Sequence, residues 1–271
     1  MTEEEVITRS SRPYTRETIG EDLSTLGVRP GMTLLVHASL SELGWVCGGA
    51  MAVVQALLDV LGPDGTLVMP THTSFISDPM YWNNPPVPSD WWPTIRQHLP
   101  AYQADISPTY MMGQIAELFR TVPDVCRSAH PQYSFAAKGP NALRITADHP
   151  YNFGLGDGSP LDRVYELRGH VLLLGVGHDR NTSLHLAEHR TDWVRNKRVT
   201  NGAAVLRDGV RAWVTIEDYE LMSHDFKEIG QRFLKKSPEH VSVGEVGQGR
   251  AELLEQRPLI DFAVSWLEKN R

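Results

Sequence analysis

The stretch GMTLLVHASLSELGWVCGGAMAVVQALLDVLGPDGTLVMP, residues 31–70, decides the fold class. Its apolar run from Thr33 to Ala38, bounded by Pro30-Gly31 and a Ser/Gly-rich loop, has the length and composition of a buried strand. The apolar pattern predicts a helix from Gly49 to Leu61, stopped by Gly62-Pro63, and a second strand from Thr66 to Met69. Strand, helix and strand in succession are the unit of an α/β sheet.

Upstream, Thr15 caps a helix whose apolar face is Ile19, Leu23 and Leu26 and which Gly27 ends. Downstream, helices are expected at Gly113 to Phe119 and Asn141 to Ala147, and strands at Tyr133 to Ala137 and Val171 to Gly175. Ala203 to Ile216 reads as a hairpin turning at Asp208-Gly209. A helix after Ser223, a strand near Val241 to Val243 and a last helix through Val264-Ser265-Trp266-Leu267 complete the chain. The expectation is one α/β domain over 1–271: a mixed central sheet flanked by helices on both faces, with a C-terminal hairpin and helices.

Residues 74–109 break the rhythm, with seven prolines between Pro79 and Pro108 and with Trp82, Trp91 and Trp92 among them. So long a segment without periodicity in a compact domain reads either as a lid or substrate loop, or as a packed surface excursion.

Bulk composition narrows the function classes. At 271 residues, 41% hydrophobic and 22% charged, the chain has the make-up of an ordinary globular protein. A net charge of -7 argues against nucleic acid and suits a cationic small substrate. Cys47 and Cys126 are too few for a disulfide framework or a Cys-rich zinc site. The opening MTEEEVITRSSRPY has no apolar signal core, and no apolar run is long enough to span a bilayer. A cytoplasmic protein follows, either monomer or homodimer, with no nucleic-acid or membrane partner.

Four strings can carry chemistry. In HASLSELGWVCGGA, residues 37–50, a strand end, the Ser39 and Ser41 hydroxyls and Gly48-Gly49 at a helix start suit an anion, although a tight turn that needs glycine reads the same way. Neither a P-loop nor a dinucleotide fingerprint is present. In NTSLHLAEH, residues 181–189, Thr182 or Ser183 can cap a helix, and its first two turns carry His185, Glu188 and His189. The spacing His185-x-x-Glu188-His189 matches the inverted zincin motif, yet no third ligand stands out, so a histidine base without metal is the better reading. In RSAHPQYSFAAKG, residues 127–139, Arg127, Ser128 and His130 precede a strand. The last is the acidic set Glu217, Asp218, Glu220 and Asp225, which can meet a polycation or form a solvated face.

Taken together, HASLSELGWVCGGA, TLVMPTHT, SPTYMMGQIAELFR, RSAHPQYSFAAKG, GDGSPLDRVYEL, VLLLGVGHDRNTSLHLAEH and HDFKEIG, in this order, resemble the aminoglycoside 3-N-acetyltransferase family, which stands apart from the GNAT superfamily. The resemblance implies acetyl-CoA as donor, the 3-amino group of a 2-deoxystreptamine aminoglycoside as acceptor, antibiotic resistance as outcome, and no metal. It implies a CoA seat made by His37, Ala38, Ser39, Leu40, Ser41, Gly44, Val46, Gly48, Gly49 and Ala50, with Ser128. It makes His185 the base, Glu188 its partner and Thr182, or an amide near it, the oxyanion donor. Glu217, Asp218, Asp225 and His130 are expected to contact the acceptor. The chemistry agrees: an ammonium cannot attack a thioester, and an imidazole with an ordinary pKa of about 6.5 can take its proton near neutral pH. Cys47 and Cys126 have no base beside them, so direct transfer in a ternary complex is expected. Two other classes remain: a zinc hydrolase built on His185, Glu188 and His189, and a non-catalytic CoA-binding protein.

Overall fold

The structure, a computed structural model, describes residues 1–192 and 197–271. Its frame is a seven-stranded mixed sheet in the order β3-β4-β2-β1-β5-β9-β8. The strands are β1 (Thr33–Ala38), β2 (Thr66–Pro70), β3 (Cys126–Arg127), β4 (Phe135–Lys138), β5 (His170–Leu174), β8 (Val241–Val246) and β9 (Gly249–Glu255). Only β2, β1 and β5 run parallel, with Leu34 opposite Leu67 on one side and His170 on the other. The outer strands join antiparallel: β4 to β2, β3 to β4, β9 to β5 and β8 to β9. The chain leaves β1 for β2 on one side and later returns to β5 on the other. That makes the carboxyl end of β1 a topological switch point, where α/β sheets open a crevice.

Alternation along β1 explains the two faces. Leu34 and Val36 meet α2 (Arg16–Leu26), α3 (Gly49–Leu61) and α5 (Gly113–Phe119), where Leu23, Leu57 and Phe119 are fully buried. Leu35 points to the opposite layer, which packs α6 (Ala142–Thr146), α7 (Pro160–Glu166), α8 (Ser183–His189), α9 (Phe226–Lys236) and α10 (Gln256–Asn270). The expected caps hold: Thr15 accepts the Thr18 amide and Gly27 closes α2 in the left-handed region. Three helices, α1 (Glu3–Arg9), α4 (Trp92–His98) and α7, and two strands, β3 and β9, have no counterpart among the elements expected from sequence.

The hairpin is longer than expected: β6 (Arg198–Arg207) pairs with β7 (Val210–Tyr219) through a turn in which Asp208 and Gly209 both have positive φ, 53° and 77°. It forms a separate two-stranded sheet. Residues 74–109 pack on it as an excursion with its own small core, in which Ile76 and Tyr102 meet Ala203, Val205, Val214 and Ile216. Polar ties fix the contact. The Tyr102 amide donates to Ala204 O at 2.9 Å, and Arg96 pairs with Asp78 at 2.8 Å.

Candidate active site

At the switch point the loop after β1 and the loop after β5 face each other across a cavity of about 810 Å³. His37, Ala38, Ser39, Leu40, Ser41, Gly44, Val46 and Gly49 line it from the first loop, and Val176, Arg180 and Thr182 from the second. Gly48 (φ 87°) and Gly49 (φ 55°) make the left-handed entry into α3 that the anion-loop and tight-turn readings both require; Gly48 and Ala50 themselves stand off the cavity wall. Two walls were not legible in the sequence: Met1, Glu3 and Val6 of the α1 region, and Met111, Met112 and Gln114 at the start of α5. The polar face of α1 gave no motif to read. Helix α1 is held by Arg9 donating to Ser41 O at 3.0 Å and by the Trp45 amide donating to Ser10 Oγ at 2.7 Å.

His185 lies on the first turn of α8, close to this cavity through its neighbour Thr182. The Thr182 side chain does not cap α8; the Ser183 amide donates to Asn181 Oδ1 instead, at 3.2 Å. The Thr182 hydroxyl is thereby left for the cavity. His185 Nδ1 donates to Glu188 Oε2 at 2.6 Å, while Nε2 has no hydrogen-bond partner among the described residues. The ring sits edge-on to Phe226, with centroids 4.8 Å apart. Glu188 is completely buried, and its Oε1 accepts the Met222 amide at 3.0 Å and the Arg271 guanidinium. One imidazole nitrogen thus carries the proton and is anchored, and the other presents a lone pair. That is the arrangement of a general base with an orienting carboxylate.

His37, the second-last residue of β1, is buried, and its Nε2 is sealed off with no partner among the described residues. Burial first, then the neighbouring His185 and His178, push its pKa down to about 3. His72, just past β2, is lowered to about 3 by burial and then by His185 and His37. Both rings are neutral near pH 7, so His185 has no cationic imidazole from either strand beside it.

Four of the residues expected to contact a substrate lie off the cavity lining and are engaged with protein partners. Ser128 is off the cavity: its hydroxyl accepts the Phe135 amide at 2.9 Å and bonds His149 Nδ1 at 2.9 Å. His130 is fully buried, with Nδ1 accepting the Gln132 and Tyr133 amides (3.0 and 2.9 Å) and Nε2 donating to Tyr151 O at 3.0 Å. Both are engaged by neighbouring protein groups, as buried polar groups usually are. Asp225 is buried against Arg271, and Asp218 holds His189 Nε2 at 2.9 Å. Of the three acidic residues expected at the acceptor, Glu217 alone is exposed, 3.8 Å from Arg198. Arg127 knits this region to the excursion, donating to Thr71 O at 2.7 Å and Ala104 O at 3.0 Å.

The bonds of His189 give the zincin alternative no support. Its Nδ1 donates to His185 O at 2.8 Å and its Nε2 is engaged by Asp218, so neither nitrogen offers a lone pair to a metal. Among the described residues no group of three or more His, Cys, Asp or Glu side chains is arranged to hold an ion. No helix among them is long and apolar enough to cross a membrane.

Comparison with known proteins agrees with this architecture. The family model described as aminoglycoside 3-N-acetyltransferase matches residues 35–268. The chain is 44% identical, over 98% of its length and 96% of the relative's, to the SPbeta prophage-derived aminoglycoside N(3')-acetyltransferase-like protein YokD of Bacillus subtilis. It is 35% identical, over 99% and 98% of the two lengths, to aminoglycoside N(3)-acetyltransferase IX of Micromonospora chalcea. Among solved structures, AAC-IIIb in a binary complex with CoASH superposes with a TM-score of 0.85 at 30% identity, covering 95% of this chain and 97% of that one. AAC-VIa bound to sisomicin gives the same TM-score and identity over 96% and 99%. With a matching sheet, a matching sequence and an anchored histidine at the switch point, the chain belongs to the aminoglycoside 3-N-acetyltransferase family.

Proposed function

We propose that the protein transfers the acetyl group of acetyl-CoA to the 3-amino group of the 2-deoxystreptamine ring of an aminoglycoside, inactivating the drug in the cytoplasm. The observation that carries this reading is the His185–Glu188 pair, with Nδ1 anchored and Nε2 bare, beside a cavity that opens at the carboxyl end of β1. CoASH on one structural neighbour and sisomicin on another support the two substrate classes. A cavity of about 810 Å³ falls within the size range of cofactor sites.

The steps follow from the residues. The His37 to Gly49 loop, with the start of α3 and the exposed Arg180, receives the pantetheine arm and phosphates of the donor. An acceptor ammonium first loses a proton to bulk water, and the free amine attacks the thioester carbonyl carbon as its second proton passes to His185 Nε2. The Thr182 hydroxyl, or an amide beside it, donates to the developing oxyanion. Collapse breaks the carbon–sulfur bond, and the CoA thiolate leaves with the proton from His185. Glu188 keeps the proton on Nδ1 and stabilises the imidazolium meanwhile. Glu217, exposed on β7, is a carboxylate available to a cationic acceptor. An exposed pair of this kind contributes about 0.2–1 kcal/mol and weakens with salt.

The test is thiol release from acetyl-CoA by the purified protein across a panel of aminoglycosides, with the product's acetylation site assigned by NMR. Transfer to the 3-amino group is expected. Tight CoA binding with no thiol released for any acceptor would make the protein a CoA binder without this activity.

A further inference from the structure

The carboxylate that orients His185 is itself governed by a residue far along the chain. Arg271 follows α10, and its amide still donates to Leu267 O at 2.9 Å, so the helix delivers its side chain to a fixed place. Leu259, Ile260, Ala263 and Leu267 bury the inner face of α10 in the same layer as α8 and α9. The guanidinium is 5% exposed and is used on every side. Nε donates to Asp225 Oδ2 at 2.6 Å, Nη2 to Asp225 Oδ1 at 2.5 Å and to Met222 O at 2.5 Å, and Nη1 to Glu188 Oε1. Burial alone would lower its pKa, but the bonds to Asp225 and Glu188 more than offset this and raise it, so the cation persists.

Two buried carboxylates therefore share one guanidinium, and this decides the state of the base. Glu188 is fully buried and Asp225 is 8% exposed. Without a cation between them, two such carboxylates do not both remain ionised; one takes a proton. If Glu188 took it, the acid would donate to His185 Nδ1, the ring would keep its proton on Nε2, and the lone pair facing the acceptor would be gone. The other titratable groups around His185 cannot replace the cation. His37 and His72 are neutral, and His189 is committed to Asp218.

We propose that Arg271 is a positioning residue of the acetyl-transfer site: it keeps Glu188 ionised and turned toward His185, and so fixes the tautomer in which His185 Nε2 accepts the acceptor's proton. This rests on the acetyltransferase reading for its kinetic arm only. Its structural arm, the His185 tautomer, is read without any substrate.

The experiment compares wild type with Arg271→Ala, Arg271→Lys and the charge-balanced double variant Arg271→Gln/Asp225→Asn. For Arg271→Ala, kcat should fall roughly tenfold to a hundredfold, the range typical when a group behind an active-site ligand is removed. The KM for acetyl-CoA should stay within about twofold of wild type, because Arg271 does not line the donor cavity. Loss of a nearby positive charge favours a further proton on the His185–Glu188 pair, so the rising limb of kcat must move to higher pH. Arg271→Lys should hold the limb near its wild-type position, and millimolar guanidinium should recover part of kcat in Arg271→Ala and none in His185→Ala. In nitrogen-15 histidine spectra, His185 should show the Nδ1–H tautomer in wild type and lose it in Arg271→Ala. The double variant carries the spectral and kinetic tests if Arg271→Ala does not fold. Its kcat should fall and its His185 tautomer should become mixed, because a neutral neighbourhood no longer holds Glu188 ionised. A wild-type tautomer, kcat within twofold and an unmoved pH limb in whichever variant folds would overturn the proposal. Wild-type protein that keeps the Nδ1–H tautomer but transfers no acetyl group would instead overturn the functional reading.

Discussion

His185 and His189 sit four residues apart on one helix, so sequence spacing puts them on the same face and cannot divide their roles. The division comes from what waits for each ring. Glu188 takes one nitrogen of His185 and leaves the other bare, whereas the His185 carbonyl and Asp218 take both nitrogens of His189. His185→Ala should therefore cut turnover about 10²–10⁴-fold, the usual contribution of a positioned base, with CoA binding nearly intact. His189→Ala should keep most of its turnover and lose stability by about 3–5 kcal/mol, since it leaves Asp218 buried and unpaired. Paired kinetics and denaturant melts of the two variants check this. Normal turnover in His185→Ala would assign the base elsewhere. The same logic applies to Ser128 and His130, whose partners are not legible from residue type and spacing. A polar string ahead of a strand looks alike whether its side chains point to a ligand or, as here, hold Phe135, His149 and Tyr151 in place.

At the level of elements, β1, α3 and α5 have the boundaries the sequence predicts, and β2 extends one residue further. Their apolar residues recur with the period of the structure they adopt, and their ends carry Gly or Pro. Elements whose sequences lack that coincidence were illegible. Helix α1 buries no side chain, β9 spells GRAELLE with charges at both ends, and the outer turns of the hairpin are polar and exposed. Helix α1 nonetheless forms part of the donor wall, held by Arg9 and by Ser10 just beyond its end. Removing residues 1–9 should raise the KM for acetyl-CoA several-fold and weaken CoA binding by calorimetry. Helix α1 contributes no core residue, so the melting temperature should change little. Unchanged donor affinity in the truncated protein would show that this wall does not touch the donor.

For the molecule as a whole, the same architecture that frames the site makes the fold sensitive to acid. Four imidazoles are held low at or near the ligand end of the sheet: His37, by burial and by His185 and His178, at about pKa 3; His72, by burial and by His185 and His37, at about 3; His149, chiefly by burial, at about 4; and His130, by burial and by His149, well below its ordinary value. In the unfolded chain each titrates near 6.5. Above that value neither state binds a proton at these rings, and the stability they allow is fully present. Below it the unfolded chain takes up a proton at each ring while the folded protein refuses it until about pH 4 or 3. Stability is thus lost steadily as pH falls from about 6.5. The full slope is about 1.4 kcal/mol per pH unit for each histidine, or about 5.5 kcal/mol for the four together. That is a large share of the 5–15 kcal/mol typical of a folded domain. The hydrogen bonds explain why the rings hold out. His130 Nδ1 accepts two amides and His149 Nδ1 bonds the Ser128 hydroxyl, so a second ring proton must break bonds as well as desolvate a charge. Carboxylates held low, such as Glu117 at about 2 and Glu252, add their own loss only at lower pH, below about 4.5. Unfolding measured by calorimetry from pH 7.5 to 5 should show a melting temperature that is flat above about 6.5 and falls steeply below it. The proton uptake on unfolding, read from buffers of different ionisation enthalpy, should approach four near pH 5. A melting temperature that stays level down to pH 5, or an uptake near zero, would mean that these histidines accept protons without leaving the fold.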